Sequence, residues 1–122
     1  MILRNGVDLI EIARIRAALD RYGERFLKRI FTSGEIEECA DMADALAVCF
    51  AAKEAAVKAL GTGIGLVGWR EVETLHKKSG EPYLVLHGAA ERKAKELGLT
   101  TWSLSLSHNQ TQAIAVVVTV GD

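Results

Sequence analysis

Proline is almost missing from this sequence: Pro82 is the only one in 122 residues. No proline-rich linker is available, and no serine-rich spacer, internal repeat or low-complexity run takes its place. Cysteine is nearly as scarce. Cys39 and Cys49 are too few for the disulfide framework of a small secreted domain, and both fall in stretches that read as helical. No segment approaches the roughly 20 apolar residues of a membrane span. The start, Met1-Ile2-Leu3-Arg4-Asn5-Gly6, carries a charge where a secretory leader needs an apolar core. Net charge is lacking too, since 15 Lys and Arg against 16 Asp and Glu leave −1. That balance excludes a binder built on neutralising nucleic-acid phosphates. The expectation is a soluble, cytoplasmic protein with no nucleic-acid and no membrane partner.

What is present is an ordinary globular composition, 49% hydrophobic and 25% charged, in a chain long enough for one domain spanning 1–122. Gly6 to Ile10 reads as a strand leading into a helix over about Ile12 to Tyr22, with Gly23 as its stop. A short helix covers Glu24 to Ile30. Thr32 with Glu35 fits a capping box and opens a helix through Cys39. Asp41 or Asp44 starts the longest helix, rich in alanine, which runs to Leu60 and stops at Gly61. The second half changes character. Gly68 to Leu75, Pro82 to His87, Trp102 to Ser107 and Ala113 to Val120 read as strands. Glu91 to Leu97 is a helix, and His108 to Thr111 is a hairpin turn. Helices first and mostly strands later predict an α+β fold, N-terminal helices packed on a mainly antiparallel sheet.

Three groups of residues invite chemistry. Asp8 interrupts an apolar strand, where a bare carboxylate is costly unless it is solvated, paired or metal-bound. It either caps the next helix or ligates a metal. Glu54 and Lys58 share a face of the long helix, and are either an ion pair or part of a site. Because that helix looks largely buried, such a pair needs more justification than a surface one. Two carboxylates with a nearby lysine suit Mg²⁺ bound jointly to a phosphate ester. The glycine-dense loop from Gly61 lets a ligand approach the backbone, but it lacks the Walker pattern and follows its helix instead of preceding one. Ser107 and His108 end a polar-edged strand, as a solvated tip or beside a ligand phosphate. No nucleophile elbow occurs, and neither the histidines nor the cysteines have zinc-ligand spacing.

The near-zero charge is a cancellation. Arg14, Arg16, Arg21, Arg25, Lys28 and Arg29 crowd one stretch; Glu35, Glu37, Glu38, Asp41 and Asp44 crowd the next. If one helical phase continued past Gly23, Arg14, Arg21, Arg25 and Lys28 would form a stripe. Such a stripe is a solvated face or a docking patch for an acidic protein.

Together these segments resemble the short bacterial holo-(acyl-carrier-protein) synthases of the 4′-phosphopantetheinyl transferase superfamily. The resemblance covers nearly the whole chain. It is carried by Gly6-Val7-Asp8-Leu9-Ile10-Glu11-Ile12-Ala13-Arg14-Ile15, by Phe31-Thr32 with Glu35, by Phe50-Ala51-Ala52-Lys53-Glu54-Ala55 through Lys58 to Ile64, and by Ser105-Leu106-Ser107-His108. The resemblance implies transfer of 4′-phosphopantetheine from coenzyme A to a serine of apo acyl carrier protein, releasing adenosine 3′,5′-bisphosphate, in fatty acid biosynthesis. It implies that Asp8 and Glu54 bind Mg²⁺ and that Lys58 contacts the pyrophosphate, these three being the catalytic set. Lys58, Gly61, Ser107 and His108 would bind coenzyme A, and Arg14, Arg21 and Arg25 would dock the carrier protein. It also implies a homotrimer with sites between subunits. One departure is visible: many members carry arginine immediately before the Phe-Ala-x-Lys-Glu segment, where this chain has Cys49. The competing readings are a non-catalytic module that binds carrier proteins or nucleotides, and a metal-dependent phosphoester hydrolase. The hydrolase lacks the additional carboxylates of a two-metal site.

Overall fold

The computed structural model describes residues 1–122. Strand β1 (Ile2–Glu11) leads into α1 (Ile12–Tyr22), α2 (Glu24–Ile30), α3 (Ser33–Cys39) and α4 (Ala43–Leu60). Then follow β2 (Val72–His76), β3 (Pro82–Leu86), α5 (Gly88–Glu96), β4 (Thr101–His108) and β5 (Gln112–Gly121). The α+β expectation holds. The sheet is divided: β1-β5-β4 form one antiparallel sheet, and β2-β3 form a separate hairpin. No helix is long and apolar enough to cross a membrane.

Helix α4 is the axis of the molecule. Its run of alanines, with Leu46, Val57 and Leu60, is apolar nearly all round, so it goes inside. It lies against β1 and β5. The contact is close because residue 6 is glycine: a Cβ there would collide with the Ala55 carbonyl of α4. Alanines at 55 and 59 complete that approach, and both are buried. On the sheet, the inward row from β5 (Ala113, Ala115, Val117) is fully buried.

Helix α3 opens as expected. Thr32 Oγ1 accepts from Glu35 N at 3.2 Å, and Glu35 Oε1 accepts from Thr32 N at 2.9 Å. Other limits shift for physical reasons. Trp69–Glu71 winds into a one-turn 3-10 helix instead of joining the strand, because Trp69 stacks on Phe50 at 4.8 Å and Glu71 accepts from Gly68 N at 2.6 Å. Helix α5 begins at Gly88, earlier than the expected Glu91, because the Glu71 carboxylate reaches across and accepts from Ala89 N. At the final hairpin, Asn109 Oδ1 accepts from Thr111 N and Gln112 N at 2.9 and 2.8 Å.

Candidate active site

Alternation along β1 turns Arg4, Gly6, Asp8 and Ile10 toward α4. Helix α4 presents Glu54 and Lys58 to the same edge. Lys58 Nζ lies 3.3 Å from Asp8 Oδ1 and donates to the Val7 carbonyl at 2.9 Å. Asp8 does not cap α1, whose start has no side-chain cap. Burial raises the Glu54 carboxyl above the ordinary glutamate range. The charge of Asp8 pushes it further up, while Lys58 and Arg14 pull it down. So Glu54 lies within the fields of Lys58, Arg14 and Asp8, the last of them 46 positions away in sequence.

The spacing-based pairing is corrected in one respect. Lys58 pairs with Asp8, not with Glu54, and its side chain is 54% exposed. The buried lysine of the segment is its neighbour. Lys53 has no exposure and forms a 2.7 Å ion pair with Glu35. It also donates to the carbonyls of Trp69 and Val72 at 3.0 and 2.6 Å. Glu35 Oε2 in turn accepts from Cys49 Sγ at 2.9 Å and Thr74 N at 2.8 Å. Sequence reasoning missed this network. The signal was the helical period: Leu46, Cys49, Lys53, Val57 and Leu60 share the apolar face of α4.

Gly61 caps α4 with φ +73°, a conformation that suits glycine. The Arg4 guanidinium occupies the space its side chain would need, with Nη2 2.5 Å from an ideal Cβ. Arg4 Nε donates to the Ala59 carbonyl at 2.6 Å, placing a cation at the negative end of α4.

Ser107 and His108 lie elsewhere in the chain. Asp8 pairs with Ala115 on β5, and Ala115 pairs with Leu106 on β4. The two ends of the expected site are thus two strand spacings apart, about 10 Å. Ser107 and His108 line a cavity of about 430 Å³ together with Thr74, His76, Cys39 and Cys49. Within it the Thr74 hydroxyl is buried without a partner. Cys49, where the arginine was expected, turns into the Glu35 network.

The single basic stripe does not form as drawn. Gly23, with φ +54°, ends α1 and starts α2 on a new axis. Arg14 and Arg21 stay exposed on α1, and Arg25 is exposed on α2, beside a cavity lined by Tyr22, Phe26, Arg29 and Trp69.

Two carboxylates converge, and no third acid, histidine or cysteine completes a cluster with them. The Asp8 charge that raises the proton affinity of Glu54 would be offset by a divalent cation. This donor set fits Mg²⁺, which needs only one or two carboxylates when substrate phosphates and waters fill its other positions. It does not fit a two-metal hydrolase.

Residues 4–117 match the family model described as the 4′-phosphopantetheinyl transferase superfamily. The chain belongs to this superfamily. Among similar transferases, the holo-(acyl-carrier-protein) synthase of Herpetosiphon aurantiacus is 51% identical over 98% of this chain and 99% of its own length. The holo-(acyl-carrier-protein) synthase of Helicobacter pylori, solved in complex with coenzyme A, superposes with a TM-score of 0.87 at 33% identity, covering 95% of this chain and 99% of that one. An acyl carrier protein synthase from Plasmodium yoelii with ADP bound gives 0.90 at 27% identity, covering 100% and 97%. The transferase reading of the sequence therefore holds at the level of family and enzyme class.

Proposed function

We propose that residues 1–122 form one transferase domain that moves the 4′-phosphopantetheine arm of coenzyme A onto a serine of apo acyl carrier protein. Adenosine 3′,5′-bisphosphate is released, and the reaction serves fatty acid biosynthesis in the cytoplasm. The observation that carries this reading is the convergence of Asp8, Glu54 and Lys58 at one edge of β1 and α4, in a chain of this superfamily. The coenzyme A complex of the Helicobacter relative supports the same donor.

Asp8 and Glu54 would hold Mg²⁺, which when bound polarises a phosphoryl oxygen and offsets the charge developing there. Lys58, with its half-exposed ammonium, reaches the pyrophosphate. Its bond to the Val7 carbonyl anchors it between strand and substrate. Glu54, or a water held by the metal, would take the serine proton. Gly61 would offer coenzyme A its backbone, since the space on its side-chain face is filled by Arg4. Ser107 and His108 sit near the nucleotide end, and Arg14, Arg21 and Arg25 receive the acidic carrier protein.

A homotrimer accounts for the distance between the two halves of the site. The outer face of the β1-β5-β4 sheet leaves Leu3, Val7, Leu9, Val116 and Val118 exposed as one apolar patch. Burying it against other copies brings Ser107 and His108 of one subunit toward Asp8 of the next. Val7→Asp with Val116→Asp is expected to yield monomers by sedimentation, and to abolish transfer.

The direct test incubates the protein with apo carrier protein, coenzyme A and Mg²⁺. The carrier protein should gain the mass of one phosphopantetheine group. No gain at any substrate level overturns the proposal, and release of free phosphopantetheine without carrier protein would make the chain a hydrolase.

A further inference from the structure

Two cavities meet at His108. The first, of about 430 Å³, is walled by α3, α4, the β2-β3 hairpin and β4; the second opens between α1, the start of α4 and the tip of the β4-β5 hairpin. No lysine or arginine lines the first. Its acid is Glu38, which pairs with His76 at 2.9 Å. Its neutral polar groups include Ser107 and the Thr74 hydroxyl, buried without a partner. Cys49 stands in this wall as a thiol turned to Glu35, where an arginine would have added a permanent positive charge. The Glu35 charge behind it is already matched by Lys53. The second cavity sets Asp41 and Asp44 against Arg16 alone. The first turn of α4 is no anion site either, because Asp44 Oδ1 already accepts from Ala45 N at 2.8 Å. Around His108 three acids thus face one permanent cation.

Building on the placement of the coenzyme A nucleotide at this end, we propose that these walls do not recognise its 3′-phosphate, so that 3′-dephospho-coenzyme A is at least as good a donor. A phosphate dianion is held by charge-assisted bonds from arginine or lysine. Here it meets carboxylates of its own sign. What remains for the nucleotide is hydroxyl groups and apolar wall, which do not distinguish the two donors. Lys58, at the Asp8 edge, serves the pyrophosphate, a separate part of the donor. With the dephosphorylated donor the serine oxygen forms its bond to the phosphorus that carries the pantetheine arm. The bond from that phosphorus to the bridging oxygen breaks, and adenosine 5′-monophosphate leaves. The serine proton goes to the same acceptor as with coenzyme A. No atom of the 3′-phosphate takes part.

The whole protein is given apo carrier protein, Mg²⁺ and either donor, and kcat/KM is measured for each. The value for 3′-dephospho-coenzyme A should equal or exceed that for coenzyme A, whereas a charge-assisted contact to the 3′-phosphate would favour coenzyme A by roughly 10- to 100-fold. Gln110→Arg adds a cation at the exposed hairpin tip beside His108. It should shift the ratio of the two values toward coenzyme A by about tenfold, with the dephosphorylated donor unchanged. A wild-type preference for coenzyme A beyond about threefold, or an equal response of both donors to Gln110→Arg, overturns the proposal. Failure of the dephosphorylated donor alone does so too and leaves the transfer reading intact. Failure of both donors removes the transfer reading and the proposal with it.

Discussion

Two lysines on α4 meet two carboxylates under opposite conditions. Lys53 and Glu35 touch at 2.7 Å with neither side chain exposed, and every remaining polar atom is bonded to backbone or to Cys49. Lys58 and Asp8 touch at 3.3 Å with the lysine half in water and Glu54 pressing on the same space. The inner pair is complete, so it specifies how α3, α4 and β2 meet. The outer pair leaves hydrogen-bonding capacity unused and the charge of Glu54 unfavourable. A closed network makes structure; an open one leaves room for a cation and an anion.

The largest effects should separate these roles. Asp8→Asn and Glu54→Gln are each expected to reduce transfer by at least about 10²-fold, within the range for lost acid–base or charge-stabilising groups. Neither should lower the melting temperature. For Glu54 the sign is favourable: its folded pKa is raised, so its contribution to stability is present at low pH and is lost as pH rises through that value. Glu54→Gln should therefore melt no lower than wild type at neutral pH. A large loss of stability in either variant breaks the distinction between the two pairs.

Glu35→Ala comes next, in stability instead of turnover. It strands a buried ammonium and should cost about 3–5 kcal/mol in urea unfolding. Glu35→Leu combined with Lys53→Met should recover most of that, because an apolar replacement leaves no uncompensated charge. If the double variant is as unstable as Glu35→Ala, packing and not charge carries the inner pair.

Lys58→Ala is expected to raise KM for coenzyme A about tenfold, with unfolding free energy changed by less than about 1 kcal/mol, since exposed ion pairs contribute little. The smallest effect concerns Glu71, outside both pairs. The bond from Gly68 N, helped by Ala89 N, the charge of Arg92 and Ala90 N, holds its carboxyl below the usual range against the opposing effect of desolvation. Its contribution is present above the ordinary glutamate pKa and is lost as pH falls through the depressed one. Glu71→Gln should flatten the acid side of the stability profile measured by thermal melting.

Local signals were legible in the sequence because they act over a few residues. The capping box at Thr32 and Glu35, the stop at Gly61 and the alternation of β4 are all of this kind. The early start of α5 was not legible, because its N-terminal donor finds an acceptor 18 positions away on Glu71. The meeting of Asp8 with Glu54 could be suggested by chemistry, but only the β1–α4 packing brings them together. The pairing of Lys53 with Glu35 escaped because the partner lies 18 positions away on another helix, beyond the reach of any local pattern. The split of the basic stretch at Gly23 depends on one backbone angle that composition does not record.

The contact between Gly6 and the Ala55 carbonyl has a consequence for how this site can drift over time. The spacing between strand and helix there is set by main chain against main chain, with no side chain as a spacer. Substitutions elsewhere in the core can repack without moving the two carboxylates apart. A single methyl group at position 6 would displace the whole helix, carrying Glu54 and Lys58 away from Asp8 together. The tolerance of the surrounding core and the intolerance of this one residue have the same origin.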